Sequence, residues 1–207
     1  CGGQCPNPGS LATGRNAATA MALLPLLGAG HTHQAGPHKD AVKKGLQFLV
    51  AQMKVGPSGG SFHEQGGMMY SHGLASIALC EAYAMTRDKK LKGPAQKAVD
   101  FIAYAQDPVG GGWRYQPRQK GDTSVFGWQM AALRCARLAG LKVPRTTLPK
   151  AHAFLDNVQA DAGATYGYIG PGAGQATTAI GLLGRMHQGW KKDSPALGPS
   201  FMLATST

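Results

Sequence analysis

The stretch from Lys97 to Trp113 reads KAVDFIAYAQDPVGGGW, and its pattern recurs along the chain. Apolar residues at helical spacing lead to Gln106, and a glycine-rich turn then ends in Trp113. Two of its positions belong to columns spaced 53 residues apart, which are Lys44, Lys97 and Lys150, and Phe48, Phe101 and Phe154. Because self-similarity at a fixed period marks a repeat architecture, we predict that the chain is built from internal repeats.

Each repeat contains two helical patterns, of which the first is amphipathic and the second is rich in small residues. The second patterns span 71–83, 126–138 and 175–186, and residues 16–27 match them at the start of the chain. A helix pair of this kind can bury its apolar face only against neighbouring pairs. We therefore predict an all-α array of helical hairpins, about three and a half repeats long, over 14–30, 41–86, 94–140 and 147–190.

The composition is that of a folded, basic protein. The chain has 207 residues, of which 43% are hydrophobic, and this excludes disorder of the whole chain. We predict one repeat domain over 1–192 and an irregular tail over 193–207. No apolar run is long enough to span a bilayer. Lys and Arg number 21 against 10 Asp and Glu, which gives a formal net charge of +11.

A basic run joins two of the repeats and is predicted to be a solvated loop; it consists of Arg87, Lys89, Lys90 and Lys92. With the net charge of +11, the run also suits diphosphates or the anionic lipid head groups of a membrane surface. No nucleic-acid-binding motif accompanies it, so nucleic acid is disfavoured as a partner. The four cysteines are too few for a disulfide scaffold, and Cys80 and Cys135 lie inside helical patterns as small core residues. The cysteine content leaves the cellular compartment of the protein open.

The repeated pattern resembles the QW motif of the prenyltransferase and squalene oxidase repeat superfamily, which includes squalene-hopene cyclases and protein prenyltransferase β subunits. The motif consists of a basic residue, Gly or Ala, an aromatic, an aliphatic, Gln, and Gly-x-Trp, and the resemblance covers about 16–190. The resemblance implies an α/α toroid but no particular activity. Family toroids close with about six helix pairs. If the toroid is partial, the resemblance implies that its partners are other protein subunits or the rest of a longer chain.

In this family the glutamine and the aromatic residue of the motif have structural roles. The glutamine ties down a neighbouring helix end, where its carbonyl can accept from free N–H groups, and the aromatic residue packs beside it. The resemblance therefore assigns structural roles to Gln52, Gln106, Gln159, Phe62, Trp113 and Tyr166. Phe62 and Tyr166 stand where the motif has Trp, and Gln52 comes one residue early in its repeat.

In family toroids the N-terminal ends of the inner helices face the central cavity. The resemblance thus implies a set of cavity-lining candidates, which are Tyr70, His72, Asp122, Trp128 and Tyr168. Aromatic side chains at such positions can stabilise a carbocation, whereas ordinary packing is the alternative. Asp122 precedes a helical pattern, which is typical of an N-cap; alternatively, it faces the cavity and binds a polar group.

The catalytic motifs of the family are missing from the chain. Cyclases protonate an alkene with an Asp-x-Asp-Asp motif, and prenyltransferase β subunits hold zinc partly through Asp-x-Cys; neither motif occurs here. A weak zinc set is formed by Cys1, Cys5, His31 and His33, for which a polar loop is the alternative. The segment Cys1-Gly2-Gly3-Gln4 is similar to a thioester motif but lacks its Glu. We predict no cofactor.

Two functions remain open at this point. The favoured one is a non-catalytic scaffold or interaction subunit, or a protein that binds an isoprenoid-like apolar ligand. The alternative is a fragment of a class II terpene cyclase of the squalene-hopene type, or a divergent one, whose acid motif lies outside this chain. Because neither acid motif nor zinc motif is present, the sequence favours a protein that is not an enzyme.

Overall fold

The chain is mostly helical in the computed structural model, which describes residues 13–191 and Ser194. These residues contain α1 (Arg15–Gly28), α2 (Lys39–Gln52), α3 (Met68–Thr86), α4 (Lys89–Ala105), α5 (Thr123–Leu138), α6 (Thr147–Val158) and α7 (Gln175–His187). Three helix pairs, α2–α3, α4–α5 and α6–α7, correspond to the three predicted full repeats, and α1 corresponds to the leading half repeat. Helices α2 and α4 begin at Lys39 and Lys89, before the predicted starts at 41 and 94.

Two short antiparallel hairpins stand in the connections between paired helices. The strand β1 (Lys54–Gly56) pairs with β2 (Gly59–Ser61), and β3 (Gln159–Ala160) pairs with β4 (Thr165–Tyr166). The sequence did not predict them, because strands of two or three residues are too short to establish an alternating pattern. They shape the glycine-rich turns of the first and third repeats.

The chain divides into two compact units, and the division passes through α4 and α5. The first unit contains the chain up to Ile102 together with Cys135–Lys142, and the second contains Ala103–Arg134 and the chain from Val143 onward. In the first unit α1 packs against both α2 and α3. In the second unit Phe126 of α5 stacks on Phe154 of α6 with ring centroids 5.0 Å apart. Each unit thus has helices of successive repeats packed on one another.

The aromatic residue of each repeat lies in the core. Phe62, Trp113 and Tyr166 are all 0% exposed. Trp113 lies beside Phe126 with ring centroids 5.9 Å apart, and the ring of Tyr166 lies directly against the backbone of Gly181 in α7. These three aromatic residues are therefore part of the core, as expected for the structural role that the motif implies.

The basic run is helical, so the prediction of a loop is wrong for most of it. Helix α4 begins at Lys89 and takes in Lys90 and Lys92. Asp88 starts the helix, because its Oδ1 accepts from the N–H of Lys90 at 2.9 Å, and Leu91 anchors the first turn in the core. One capping carboxylate and one buried leucine thus outweigh the charge repulsion within the run.

A glycine with positive φ recurs in the connection of every full repeat. The φ angles are +112° at Gly59, +77° at Gly111 and +91° at Gly163. A Cβ at Gly59 would lie 2.5 Å from the carbonyl oxygen of Lys97, and one at Gly111 would lie 2.0 Å from that of Lys150. Since these lysines belong to one repeat column, the glycines of the first two repeats each pack directly on the first helix of the following repeat.

Gly111→Ala should lower the free energy of unfolding by at least about 2 kcal/mol, because alanine disfavours the left-handed conformation and its Cβ would meet the backbone of α6. Urea denaturation followed by circular dichroism measures the change. Gly93→Ala is the matched control, since Gly93 lies within α4 and a Cβ there meets open space. The control should gain up to about 1 kcal/mol; equal stability of both variants would contradict the packing argument.

Candidate functional site

The structure brings together only some of the five cavity-lining candidates. Tyr70 and His72 lie in the first turns of α3, in the first unit. Asp122 and Tyr168 meet at the start of α5 in the second unit, and Trp128 lies on the second turn of that helix. The start of α5 is therefore the place to examine for a functional site.

His72 is a buried structural residue. Its Nδ1 accepts from the N–H of Phe62 at 3.2 Å, and its Nε2 lies 3.2 Å from the carbonyl oxygen of Ala98, to which the neutral ring donates. The ring stacks on Phe62 and meets Phe101 edge-on. Burial lowers its pKa to about 3. Both nitrogens are thus engaged with the backbone, which leaves this side chain no free group with which to contact a cavity.

Asp122 is the N-cap of α5. Its Oδ1 accepts from the N–H of Val125 at 2.9 Å and from the hydroxyl of Ser124 at 2.7 Å. Its Oδ2 lies 3.6 Å from Nε of Arg114, and the side chain is 0% exposed. Asp122 therefore caps α5, as one of the two alternatives from the sequence has it, and its second oxygen faces Arg114 of the same chain.

Two tyrosines enclose that arginine. The guanidinium carbon of Arg114 lies 5.3 Å from the ring centroid of Tyr115 and 5.8 Å from that of Tyr168. The two tyrosine hydroxyls are 2.6 Å apart. Partial burial, the bond to Tyr115 and the charge of Asp122 raise the pKa of Tyr168, so its hydroxyl stays protonated at neutral pH. These four residues with Ser124 form what we call the tyrosine–arginine cluster.

The cluster is suited to contact rather than to proton transfer. Tyr168 is 38% exposed and Trp128 is 41% exposed. Ser124 and Trp128 are four residues apart on α5, so the indole lies on the same helix face as the cluster. Tyrosine, tryptophan and arginine are the residue types that dominate protein-binding surfaces. The arrangement therefore presents rigid aromatic rings to solvent, with a guanidinium held between two of them.

The three glutamines of the motif play different roles. Gln106 reaches the first residue of α6, where its Nε2 donates to the carbonyl oxygen of Thr147 at 2.9 Å. The helix end is tied as expected, but by a donor instead of an acceptor. Gln159 accepts from Arg185 at 3.1 Å. Gln52 lies exposed at the end of α2, because it comes one residue early in its repeat and so points to a different side.

Three buried or half-buried charged residues were missed by the sequence analysis. The carboxylate of Glu64 accepts from the N–H groups of Asn16 and Ala17 and thereby caps α1. Arg185 is 4% exposed and donates to Asp156, Gln159 and Tyr166. Arg114 directly follows Trp113, and this adjacency was the one available signal. The other pairs are 19 to 48 residues apart, with no motif to connect them.

The weak zinc set is not assembled within the described residues. His33 Nε2 lies 3.0 Å from Oδ2 of Asp88, and the ring of His31 packs edge-on against His38. Cys1 and Cys5 lie outside the described residues. In the part of the chain that the structure describes, no three His, Cys, Asp or Glu side chains gather as a metal site would require.

A scan of the chain against models of protein families gives no match, and a search of curated proteins gives none. Over residues 13–191, no helix has the length and apolar character needed to cross a membrane. What the molecule does must therefore be inferred from the geometry of its own residues.

The buried His72 predicts a loss of stability in acid. Its pKa is about 3 in the folded protein against an ordinary value of 6.5, so the unfolded chain binds a proton that the folded chain excludes. The stabilising contribution is present above pH 6.5 and is lost as the pH falls towards 3. Between about pH 7.5 and 5 it amounts to about 2 kcal/mol.

Urea denaturation of the wild type and of His72→Gln at both pH values measures this contribution. His152 and His187, whose pKa values burial also lowers, are present in both proteins, so their effects cancel in the difference. The drop in stability on acidification should be smaller in the variant by about 2 kcal/mol. An equal drop in the two proteins would show that His72 is not held neutral.

Asp122→Ala should lower the free energy of unfolding by about 2 kcal/mol, because it removes the cap of α5 and leaves Arg114 without its carboxylate. Asp122→Asn keeps an acceptor for the cap and should lose about half as much. Asp40→Ala is the matched control, since Asp40 lies exposed in the first turn of α2. Thermal melts of the three variants give the comparison, and equal melting of Asp122→Ala and the control would refute the cap.

Proposed function

We propose that this chain is a helical-hairpin repeat module of the squalene cyclase and prenyltransferase type that acts by binding another protein, not by catalysis. The observation that carries the proposal is the apolar outer face of α7. Its exposed residues include a stripe at helical spacing, which consists of Ala176, Ala179, Leu183 and Met186. Leu183 is 49% exposed and Met186 is 50% exposed. The partner we propose is another helical hairpin of the same kind.

The polarity of α7 is reversed relative to an ordinary surface helix. Surface helices turn their charged residues to water and their apolar residues to the core. In α7 the charged residue Arg185 is buried, whereas the apolar residues Leu183 and Met186 face solvent. This distribution supports a second packing surface, because apolar side chains arranged at helical spacing favour contact with another helix.

Helix α3 is the counterpart of α7 in the first repeat, and it is covered by its neighbours. It packs against α1 and α2, and its His72 contacts the backbone of α4 at Ala98. Most residues of α3 are buried, whereas the buried residues of α7 are Gly181, Gly184 and Arg185. In this chain, therefore, the second helix of a repeat can be covered by a helix of a neighbouring repeat.

Helix α1 offers a complementary surface. Met21, 52% exposed, forms with Ala22 and Pro25 an exposed apolar strip one helical turn long. Contact between α7 of one copy and α1 of the next would be heterologous, since the two surfaces differ. Heterologous contacts close into rings or extend into filaments. Both outcomes give assemblies larger than one chain.

The polar candidates support binding more than catalysis. A class II cyclase requires a strong acid with room to protonate an alkene. His72 has both ring nitrogens engaged with the backbone, and Asp122 caps α5 and faces Arg114. By contrast, Trp128 and Tyr168 are held at the surface with exposed rings.

Leu183→Lys/Met186→Lys should abolish self-association, because two charges would enter the contact between apolar faces. Light scattering of the wild type over a range of concentrations should give a mass above that of a single chain. The double variant should remain a single chain at every concentration.

The matched control is Val55→Lys/Val109→Lys, which adds the same charge at residues that are 60% and 95% exposed on other elements. This control should associate as the wild type does. A wild type that stays monomeric, or a control that loses association equally, would overturn the proposed role of the α7 face.

A further inference from the structure

A basic groove lies between the start of α4 and the turn that follows α5, within the first unit. Its volume is about 460 Å³, and its lining consists of Lys89, Lys92, Gly93, Gln96, Gly140 and Lys142. Three of these six residues are lysines and two are glycines, and none is acidic. A concave surface lined by charges of one sign concentrates the opposite charge.

Hydrogen bonds fix the two walls of the groove. Oε1 of Gln96 accepts from the N–H of Lys142 at 2.9 Å, and its Nε2 donates to the carbonyl oxygen of the same residue at 2.8 Å. A guanidinium N–H of Arg87 donates to the carbonyl oxygen of Ala139. The turn at 139–142 is therefore bonded to Arg87, just before α4, and to Gln96, near the middle of α4. These bonds preform the groove.

The start of α4 carries an unusual charge for a helix. Helix N-termini favour acidic residues, because the backbone dipole is positive there. Helix α4 has no acidic residue in its first turn and begins with Lys89 and Lys90, with Lys92 two residues on. The capping residue Asp88 supplies one negative charge, but its two oxygens are taken by the N–H of Lys90 and by His33. The positive potential of this end is thus only partly offset.

The two glycines leave room inside the groove. A Cβ at Gly93 would meet nothing within 4 Å, and one at Gly140 would approach only Arg87 Nη1 at 4.0 Å. Gly140 has a φ of +73°, which the turn requires, but Gly93 lies in a helix, where glycine is unfavourable. Its presence there keeps side-chain atoms out of the space between the lysines.

We propose that this groove binds a phosphate group through Lys89, Lys92 and Lys142. Lysine ammonium groups bind phosphate as point charges, and three of them line this groove. Two sources supply this chemistry, namely a soluble diphosphate and the head group of an anionic phospholipid.

The test uses the full chain and two probes. Inorganic pyrophosphate is titrated by calorimetry, and vesicles of equimolar phosphatidylcholine and phosphatidic acid are tested by co-sedimentation. Lys92→Gln/Lys142→Gln removes two charges from the groove. Lys43→Gln/Lys54→Gln is the control, because it removes two exposed charges from α2 and β1 and leaves the groove intact.

The groove variant should bind the probe about tenfold more weakly, and the control should change by less than about twofold. Gly93→Glu should also abolish binding while α4 stays folded, because it places a carboxylate in the open space. Loss of pyrophosphate binding identifies a soluble phosphate, whereas loss of vesicle binding alone identifies a lipid head group. If neither probe binds the wild type, the proposed site does not exist. If both double variants lose affinity equally, net charge alone attracts the probe and the groove is not a site.

Discussion

The first and second repeats are each joined to the following repeat at a glycine that leaves no space for a side chain. The α-carbons of Gly59 and Gly111 lie against the backbone carbonyls of Lys97 and Lys150, and both glycines have positive φ. Two requirements thus coincide at one position: a left-handed turn and a close approach of two backbones. The turn also sets where the following aromatic residue, Phe62 or Trp113, enters the core. The packing of successive repeats depends on this contact, because a displaced turn would move the aromatic residue with it.

The polar residues at the start of the second helices serve mainly this aromatic residue. His72 accepts from the N–H of Phe62, and Thr178 of α7 accepts from the N–H of Tyr166 in the same way at 3.0 Å. In the second repeat the carbonyl oxygen of Trp113 accepts from the N–H of Asp122. Buried backbone groups need partners, and different side chains meet that need in different repeats. Different groups near the start of the second helices are therefore compatible with one structural role, and their variety does not by itself indicate a catalytic site.

The positions of the helix pairs could be predicted from the sequence, because they follow from the period of 53 residues and from the helical spacing of apolar residues within each repeat. The roles of individual polar residues could not. Glu64 caps a helix that lies 48 residues earlier in the chain, and Arg185 reaches back 29 residues to Asp156. Such contacts depend on how helices of different repeats meet, which no local pattern encodes. The helical start of α4 was missed for a related reason. The charged residues Lys89 and Lys90 indicated a solvated loop, whereas the cap at Asp88 and the buried Leu91 establish the first turn of the helix.

The small number of carboxylates explains the basic charge of the chain and limits the groups that are available for acid–base chemistry. The chain has 10 acidic residues, and most of those described are engaged in structure. Glu64, Asp88 and Asp122 accept from the first N–H groups of α1, α4 and α5. Asp156 binds Arg185, and Asp161 accepts from Thr165. Because helix starts and a buried arginine take up these carboxylates, few remain to neutralise the surface lysines or to form a catalytic pair. At the start of α4, three lysines line a groove that contains no acidic residue.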